Sequence, residues 1–172
     1  MSSQIQTPQT NSSPTLIRTT HNEDGVSVFV PDTHVAPFEP FGPKGSGFNI
    51  FDVRQSVPVT NTDAISSFGN SLPRCPPKGS LFCMTQISPG GKAPMHRTKS
   101  LDYAVVLSGE IVLALDGGEE KTVKQGQIMV QQGVNHSWEN RGEVTCQIIF
   151  VMIGAETITL QDGTALEETV FK

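Results

Sequence analysis

Side chains able to do chemistry gather in two short segments. The first runs from Gly90 to Gly109 and carries His96, Thr98 and Asp102; the second runs from Gly126 to Asn140 and carries Gln131, His136 and Trp138. The two histidines are forty residues apart, each in its own glycine-punctuated, strand-like pattern. Two imidazoles and a carboxylate have two chemical uses. With His96, His136 and Asp102 as ligands they make a first shell for one divalent metal (Fe, Mn, Zn or Ni), leaving positions open for oxygen and substrate. Without a metal, the same three residues make an acid–base set, because histidine titrates near neutral pH and burial raises an aspartate's pKa. Proton abstraction beside a carbonyl would follow, and with it isomerisation, dehydration, cyclisation or decarboxylation. Thr98 is a poor metal ligand, since a neutral hydroxyl binds weakly. It joins Gln131 and Trp138 as a candidate substrate contact.

Strands must position these groups. Leu81–Ile87, Leu101–Leu107, Ile111–Leu115, Lys121–Lys124, Ile128–Val130, His136–Trp138 and Val144–Ile153 follow one another at the short spacing of an all-β barrel or sandwich. Asp116-Gly-Gly marks a hairpin, and Lys121–Lys124 is polar, as an edge strand often is. Val144–Ile153 is almost continuously apolar and is expected to be buried on both faces. Alternation places His136 with Trp138 on one face, groups Asp102 with Ala104 and Val106, and pairs His96 with Thr98. Arg97, Lys99 and Tyr103 then point the other way, the first two to the surface. Helix is expected only as one short element near Thr62–Ser67.

Upstream, Val26–Val30 and Phe48–Val53 read as strands around a Pro- and Gly-rich stretch that includes Phe38 and Phe41. Residues 1–20 are polar and lack large apolar side chains apart from isolated ones, which predicts a flexible tail. The expected organisation is a tail at 1–20, N-terminal strands and arm at 21–79, a barrel at 80–155 and a C-terminal strand or extension at 156–172. His21 and His34 fall in the tail and arm and are expected to be solvated.

The formal net charge is −5, which argues against a nucleic-acid partner. No stretch has the roughly 18 apolar residues of a membrane span, and the N-terminus lacks signal-peptide character. A cytoplasmic location is the expectation. Three cysteines without regular spacing make neither a disulfide framework nor a zinc motif; Cys83 and Cys146 sit in apolar runs and are expected in the core.

The two segments resemble the two-part signature of the cupin superfamily. In the first, Gly90, His96, Asp102 and Gly109 fall at the family's intervals, with Thr98 and Asp102 where a histidine and a glutamate are usual. In the second, Gly126, Gly133, His136 and Asn140 match, and Gln131 replaces a proline. The run His96-Arg-Thr-Lys-Ser-Leu-Asp-Tyr, with Gln131-Gln-Gly-Val-Asn-His-Ser-Trp-Glu-Asn140, is similar to small stand-alone cupins of bacteria and fungi. Those are often encoded beside polyketide-pathway enzymes and described as cupin-domain oxidoreductases. The resemblance implies a cupin barrel, that is, a double-stranded β-helix of jelly-roll type with an N-terminal strand arm. It implies an oxidoreductase tailoring a small polyketide-like or aromatic metabolite, with a metal-free lyase, isomerase or cyclase and a non-catalytic small-molecule binder as alternatives. It also implies a homodimer, formed through sheet edges and the N-terminal arm.

Overall fold

A computed structural model describes residues 13–42, 45–64 and 72–169. Every regular element in them is a strand. β1 (Thr15–His21) and β2 (Ser27–His34) form a hairpin. β3 (Ser46–Arg54), β4 (Ser80–Ile87), β5 (Lys92–His96), β6 (Ser100–Ser108), β7 (Glu110–Leu115), β8 (Glu120–Lys124), β9 (Ile128–Gln132), β10 (His136–Glu139) and β11 (Cys146–Gly154) build the barrel. β12 (Ile158–Thr159) and β13 (Ala165–Leu166) make a short C-terminal hairpin. No helix among these residues is long and apolar enough to cross a membrane.

Two antiparallel sheets face each other, one ordered β3-β4-β11-β6-β9 and the other β5-β10-β7-β8. From β4 onward the chain passes back and forth between them, which winds it into a double-stranded β-helix of the jelly-roll kind. The core between the sheets holds Leu81, Ile87, Val106, Ile111, Ile148 and Trp138. Cys83 and Cys146 are buried there, as their apolar runs suggest. β8 is the polar edge strand of its sheet.

Several expectations need correction. β11 alternates between buried and accessible positions and is covered on one face only: Val151 and Ile153 on the other face remain exposed. A strand of an open antiparallel sheet can be apolar on both sides without being buried on both. The strand Thr15–His21 takes in the end of the span 1–20 expected to be a flexible tail, because hairpin pairing with β2 satisfies its backbone. Part of the arm folds onto its own barrel. β3 is an outer strand of the five-stranded sheet, and Phe38 bridges back to Phe48, on whose ring Phe41 packs at 6.5 Å. Of the span 62–67 expected as a short helix, residues 65–67 lie outside the described residues; 61–63 form a turn and a bend.

Two glycines are required where they stand. Gly133 has φ +61° at the turn into β10, a conformation that costs little only without a Cβ. Gly154 lies where the loop before β4 crosses the end of β11: a Cβ there would meet the Pro76 carbonyl oxygen at 2.3 Å. The bare backbone therefore lets residues 74–79 close over the barrel.

Candidate functional site

A cavity of about 470 Å³ opens between the sheets, within the range of small-molecule sites. Apolar side chains dominate its wall, among them Ile148, Phe150, Met152 and Trp138. Alternation along β6 turns Asp102 inward with Ala104 and Val106; Asp102 is only 3% exposed. His136 and Trp138 share the inward face of β10. His96, at the end of β5, is the cross-strand partner of His136, and the two rings lie 4.3 Å apart between centroids. The indole of Trp138 packs edge-on against His136 and against Phe150.

Hydrogen bonding sets the imidazole tautomers. His96 Nδ1 lies 2.7 Å from the Pro94 carbonyl oxygen, and His136 Nδ1 lies 2.9 Å from that of Val134. A carbonyl only accepts, so each Nδ1 carries the proton and each neutral ring has its lone pair on Nε2. Burial pulls the His136 pKa down to about 4, the neighbouring His96 adds to the effect, and the Val134 hydrogen bond opposes it. Burial also lowers that of His96 against its bond to Pro94. Both rings are thus neutral at physiological pH. Titration of His136 near neutrality, expected from the residue type alone, is corrected by the cost of charging it inside an apolar wall beside a second imidazole.

Asp102 is the group poised near neutrality. Burial raises its pKa to about 6, against a hydrogen bond from Ser100 that favours the ionised form. Ser100 Oγ lies 2.6 Å from Asp102 Oδ1 and 3.0 Å from Thr98 Oγ1, so a short polar chain runs Thr98–Ser100–Asp102. Thr98 lines the cavity from the connection after β5; its pairing with His96 along one strand does not hold, because β5 ends at His96.

Asp102 and the two histidines line the same cavity from facing sheets. Asp102 projects from the five-stranded sheet, and the histidines from the four-stranded one. Its negative charge acts on Cys75 and Cys83, whose thiol pKa values rise to about 11 and about 12, chiefly through burial and secondarily through Asp102. Among the described residues no group of three or more His, Cys, Asp or Glu is arranged to hold a metal ion. The metal shell of His96, His136 and Asp102 expected from the sequence is therefore not shown among the described residues. The two imidazoles each offer an Nε2 lone pair, the kind of donor a divalent metal takes.

Gln131 is paired directly with Asp102 across β6 and β9 and is buried, but it is not one of the residues lining the cavity. Among the described residues, neither its side-chain nitrogen nor its oxygen has a hydrogen-bond partner. Asn140, a matching position of the second segment, holds the backbone together. Its side-chain nitrogen donates to the Ile87 and Val144 carbonyls, and its side-chain oxygen accepts from the Gly142 N–H. His21 and His34 are exposed, as expected, and Tyr103 points out of the barrel.

Three contributions lie beyond the sequence expectations. Ser100 was legible in principle, since it precedes Asp102 by two residues and shares its face. Cys75 reaches the cavity from the loop that crosses β11, for which local sequence carries no signal. Arg97 and Lys99, expected at the surface, line the mouth, because the chain leaves β5 there and turns before β6.

Comparison with known proteins agrees with this architecture. Residues 83–152 match the family described as Cupin domain. The chain is 37% identical over 158 residues to "Phomopsin biosynthesis cluster protein C'" of Diaporthe leptostromiformis, covering 86% of this chain and 82% of that one. It is 30% identical to "Cupin-domain-containing oxidoreductase virC" of Hypocrea virens, over 87% of this chain and 80% of that one. It is 31% identical to "Cupin-domain-containing oxidoreductase fogC" of Aspergillus ruber, over 81% and 72% respectively. On the matched barrel and this extent of shared sequence, the chain belongs to the cupin family.

Proposed function

We propose that this cupin is a tailoring enzyme of specialised metabolism, acting on a small aromatic or polyketide-like molecule inside the barrel by proton transfer. The observation that carries the reading is Asp102, a buried carboxyl held by Ser100 with its pKa brought to about 6, facing a cavity whose wall is mainly apolar and includes two neutral imidazoles. A base works best when its pKa approaches the operating pH. At pH 7 Asp102 is mostly ionised and binds a proton far more readily than an ordinary aspartate. It takes a proton from a carbon beside a carbonyl, and the electron pair moves to the carbonyl oxygen. The protonated carboxyl then returns the proton at a second carbon or to a departing hydroxyl, which gives isomerisation or dehydration. The Nε2 lone pairs of His96 and His136 accept hydrogen bonds from substrate hydroxyls and orient the ring. Trp138 supplies a flat apolar wall. Biosynthesis-cluster relatives support the setting.

The test is conversion of candidate pathway intermediates by purified protein after chelation, with exchange of the substrate α-proton for deuterium followed by NMR. Exchange that survives chelation and disappears in Asp102→Asn supports the reading. Exchange unchanged in Asp102→Asn overturns it.

A second reading, an oxidoreductase, is favoured by the names of the relatives from Hypocrea virens and Aspergillus ruber. Its mark would be stoichiometric Fe, Mn, Zn or Ni in freshly purified protein, lost in the His96→Ala/His136→Ala double variant.

The proposal extends to association with a second copy of the chain. The outer face of the five-stranded sheet leaves Tyr103, Leu107, Ile128, Val130, Val151 and Ile153 exposed, with Ile128 at 74%. The β1–β2 hairpin leaves Ile17 and Phe29 exposed, the latter at 76%. Large apolar patches favour cover, and an isolated two-stranded hairpin is marginal in water. A homodimer in which these surfaces cover one another answers both.

A further inference from the structure

The mouth of the cavity carries a charge pattern that the proton-transfer reading does not use. Its lining includes four cations, Arg74, Lys92, Arg97 and Lys99, on a chain whose net charge is −5. The acids of the same lining are Asp102, deep in the barrel, and Glu168, at the rim.

The C-terminal segment after β13 runs along this rim. Thr169 N–H donates to the Arg97 carbonyl at 2.9 Å, and Arg97 N–H donates to Thr169 Oγ1 at 3.0 Å. Glu167 pairs with Lys99 at 2.7 Å, and Glu168 reaches Arg74 at 3.4 Å. The backbone contacts anchor the strap, and its carboxylates are set against the mouth cations.

Both mouth arginines are held loosely. Arg97 reaches the Gly133 carbonyl at 3.3 Å and Asp116 at 3.8 Å, although its side chain is mostly buried. Arg74 has its Glu168 contact at 3.4 Å. Arg141, on the outer surface, instead holds Glu139 at 2.7 Å and Glu120 at 2.8 and 3.0 Å. Good N–H···O bonds span about 2.7–3.2 Å, so among the described residues the two mouth guanidiniums keep donor capacity that Arg141 has already committed. A guanidinium fork fits a carboxylate in two parallel bonds, and low-dielectric walls focus the attraction of clustered cations.

We propose that the ligand of this cavity is an apolar molecule bearing a carboxylate, whose body lies against the barrel wall and whose carboxylate is held at the mouth by Arg97 and Arg74 in place of Glu168. This rests on the reading of the barrel as a small-molecule site and adds the substrate class. Lys99, released from Glu167 when the strap yields, contributes a third positive charge. The strap's carboxylates thus act as competitors that a neutral molecule does not displace.

Calorimetric titration with 1-naphthoate and its uncharged counterpart 1-naphthamide tests this on the full-length protein. The expected result is binding of naphthoate about tenfold tighter than the amide at low salt, the scale of one charge-assisted contact. That preference should shrink as salt is added. Arg97→Gln and Arg74→Gln should each reduce the preference and leave amide affinity unchanged, while Glu168→Gln should strengthen naphthoate binding alone. Equal affinity for the two probes in the wild type overturns the charge assignment and leaves the small-molecule reading standing. Parallel loss of both probes in the arginine variants also overturns it, since it assigns those residues to strap structure. Binding of neither probe overturns both readings.

Discussion

His96 and His136 are cross-strand partners on β5 and β10, with ring centroids 4.3 Å apart and each Nδ1 bound to the carbonyl two residues before it. The same local device on both strands fixes both lone pairs on Nε2, the nitrogen not bound to the backbone. The His96 ring also opposes charging of His136. In His96→Gln, the pKa of His136 is expected to rise from about 4 but to stay below the ordinary histidine value, because burial is the larger cause. Titration of the His136 ring protons by NMR checks this. An unchanged pKa would assign the whole depression to burial.

Asp102 and His136 pull the stability of the fold in opposite directions with pH. The folded pKa of Asp102 is raised from 3.8 to about 6, so the folded state holds its proton more firmly than the unfolded chain. That residue lowers stability by about 2–3 kcal/mol at pH 7, and the loss is recovered as pH falls from about 6 toward about 4. The folded pKa of His136 is depressed from 6.5 to about 4, so the unfolded chain binds that proton first and stability falls as pH drops through the same range. The wild type should therefore show a shallow pH dependence between about 4 and 6.5. Asp102→Asn should be more stable than the wild type at pH 7 and lose stability steadily below about 6.5. His136→Gln should gain stability from about pH 6 to about pH 4. Urea midpoints at several pH values measure all three, and parallel curves would contradict the assignment.

Ser100 holds Asp102 Oδ1 at 2.6 Å and favours its ionised form. In Ser100→Ala the carboxyl pKa is expected to climb by about one unit, the scale of one hydrogen bond to a charged group. The acid limb of any proton-transfer rate should move to higher pH with little change in the plateau. The pH–rate profile separates this from simple damage, which would lower the plateau without moving the limb.

Gly154 is close-packed under the Pro76 carbonyl, so Gly154→Ala should push residues 74–79 outward. A destabilisation of about 1–3 kcal/mol is expected for such overpacking. Cys75, carried by that loop, should become more accessible to thiol reagents, while Cys83 and Cys146 in the core should not. Mass-spectrometric alkylation of the folded variant reads both.

Association has its own measurement. Light scattering after size exclusion should return twice the 18.5 kDa chain mass. A charged substitution on the outer sheet face, Val130→Lys, should give the single-chain mass without unfolding. A monomeric wild type would remove the dimer proposal.

The local sequence determined a good deal. Period-two alternation and glycine spacing located most barrel strands, and they grouped Asp102 with Ala104 and Val106, and His136 with Trp138, on shared faces, because side-chain direction alternates along a strand. It could not determine how the two sheets face each other. That arrangement brings the Asp102 carboxyl from one sheet and the two imidazoles from the other to the same cavity. It also drives His136 below its usual range and Asp102 above it, since the cost of charge depends on what the opposite wall supplies. Cys75, Arg97 and Thr169 reach the same cavity from a crossing loop, a strand end and the C-terminal strap. Those meetings depend on chain segments far apart in sequence, which is why no motif announces them and only the tertiary structure decides them.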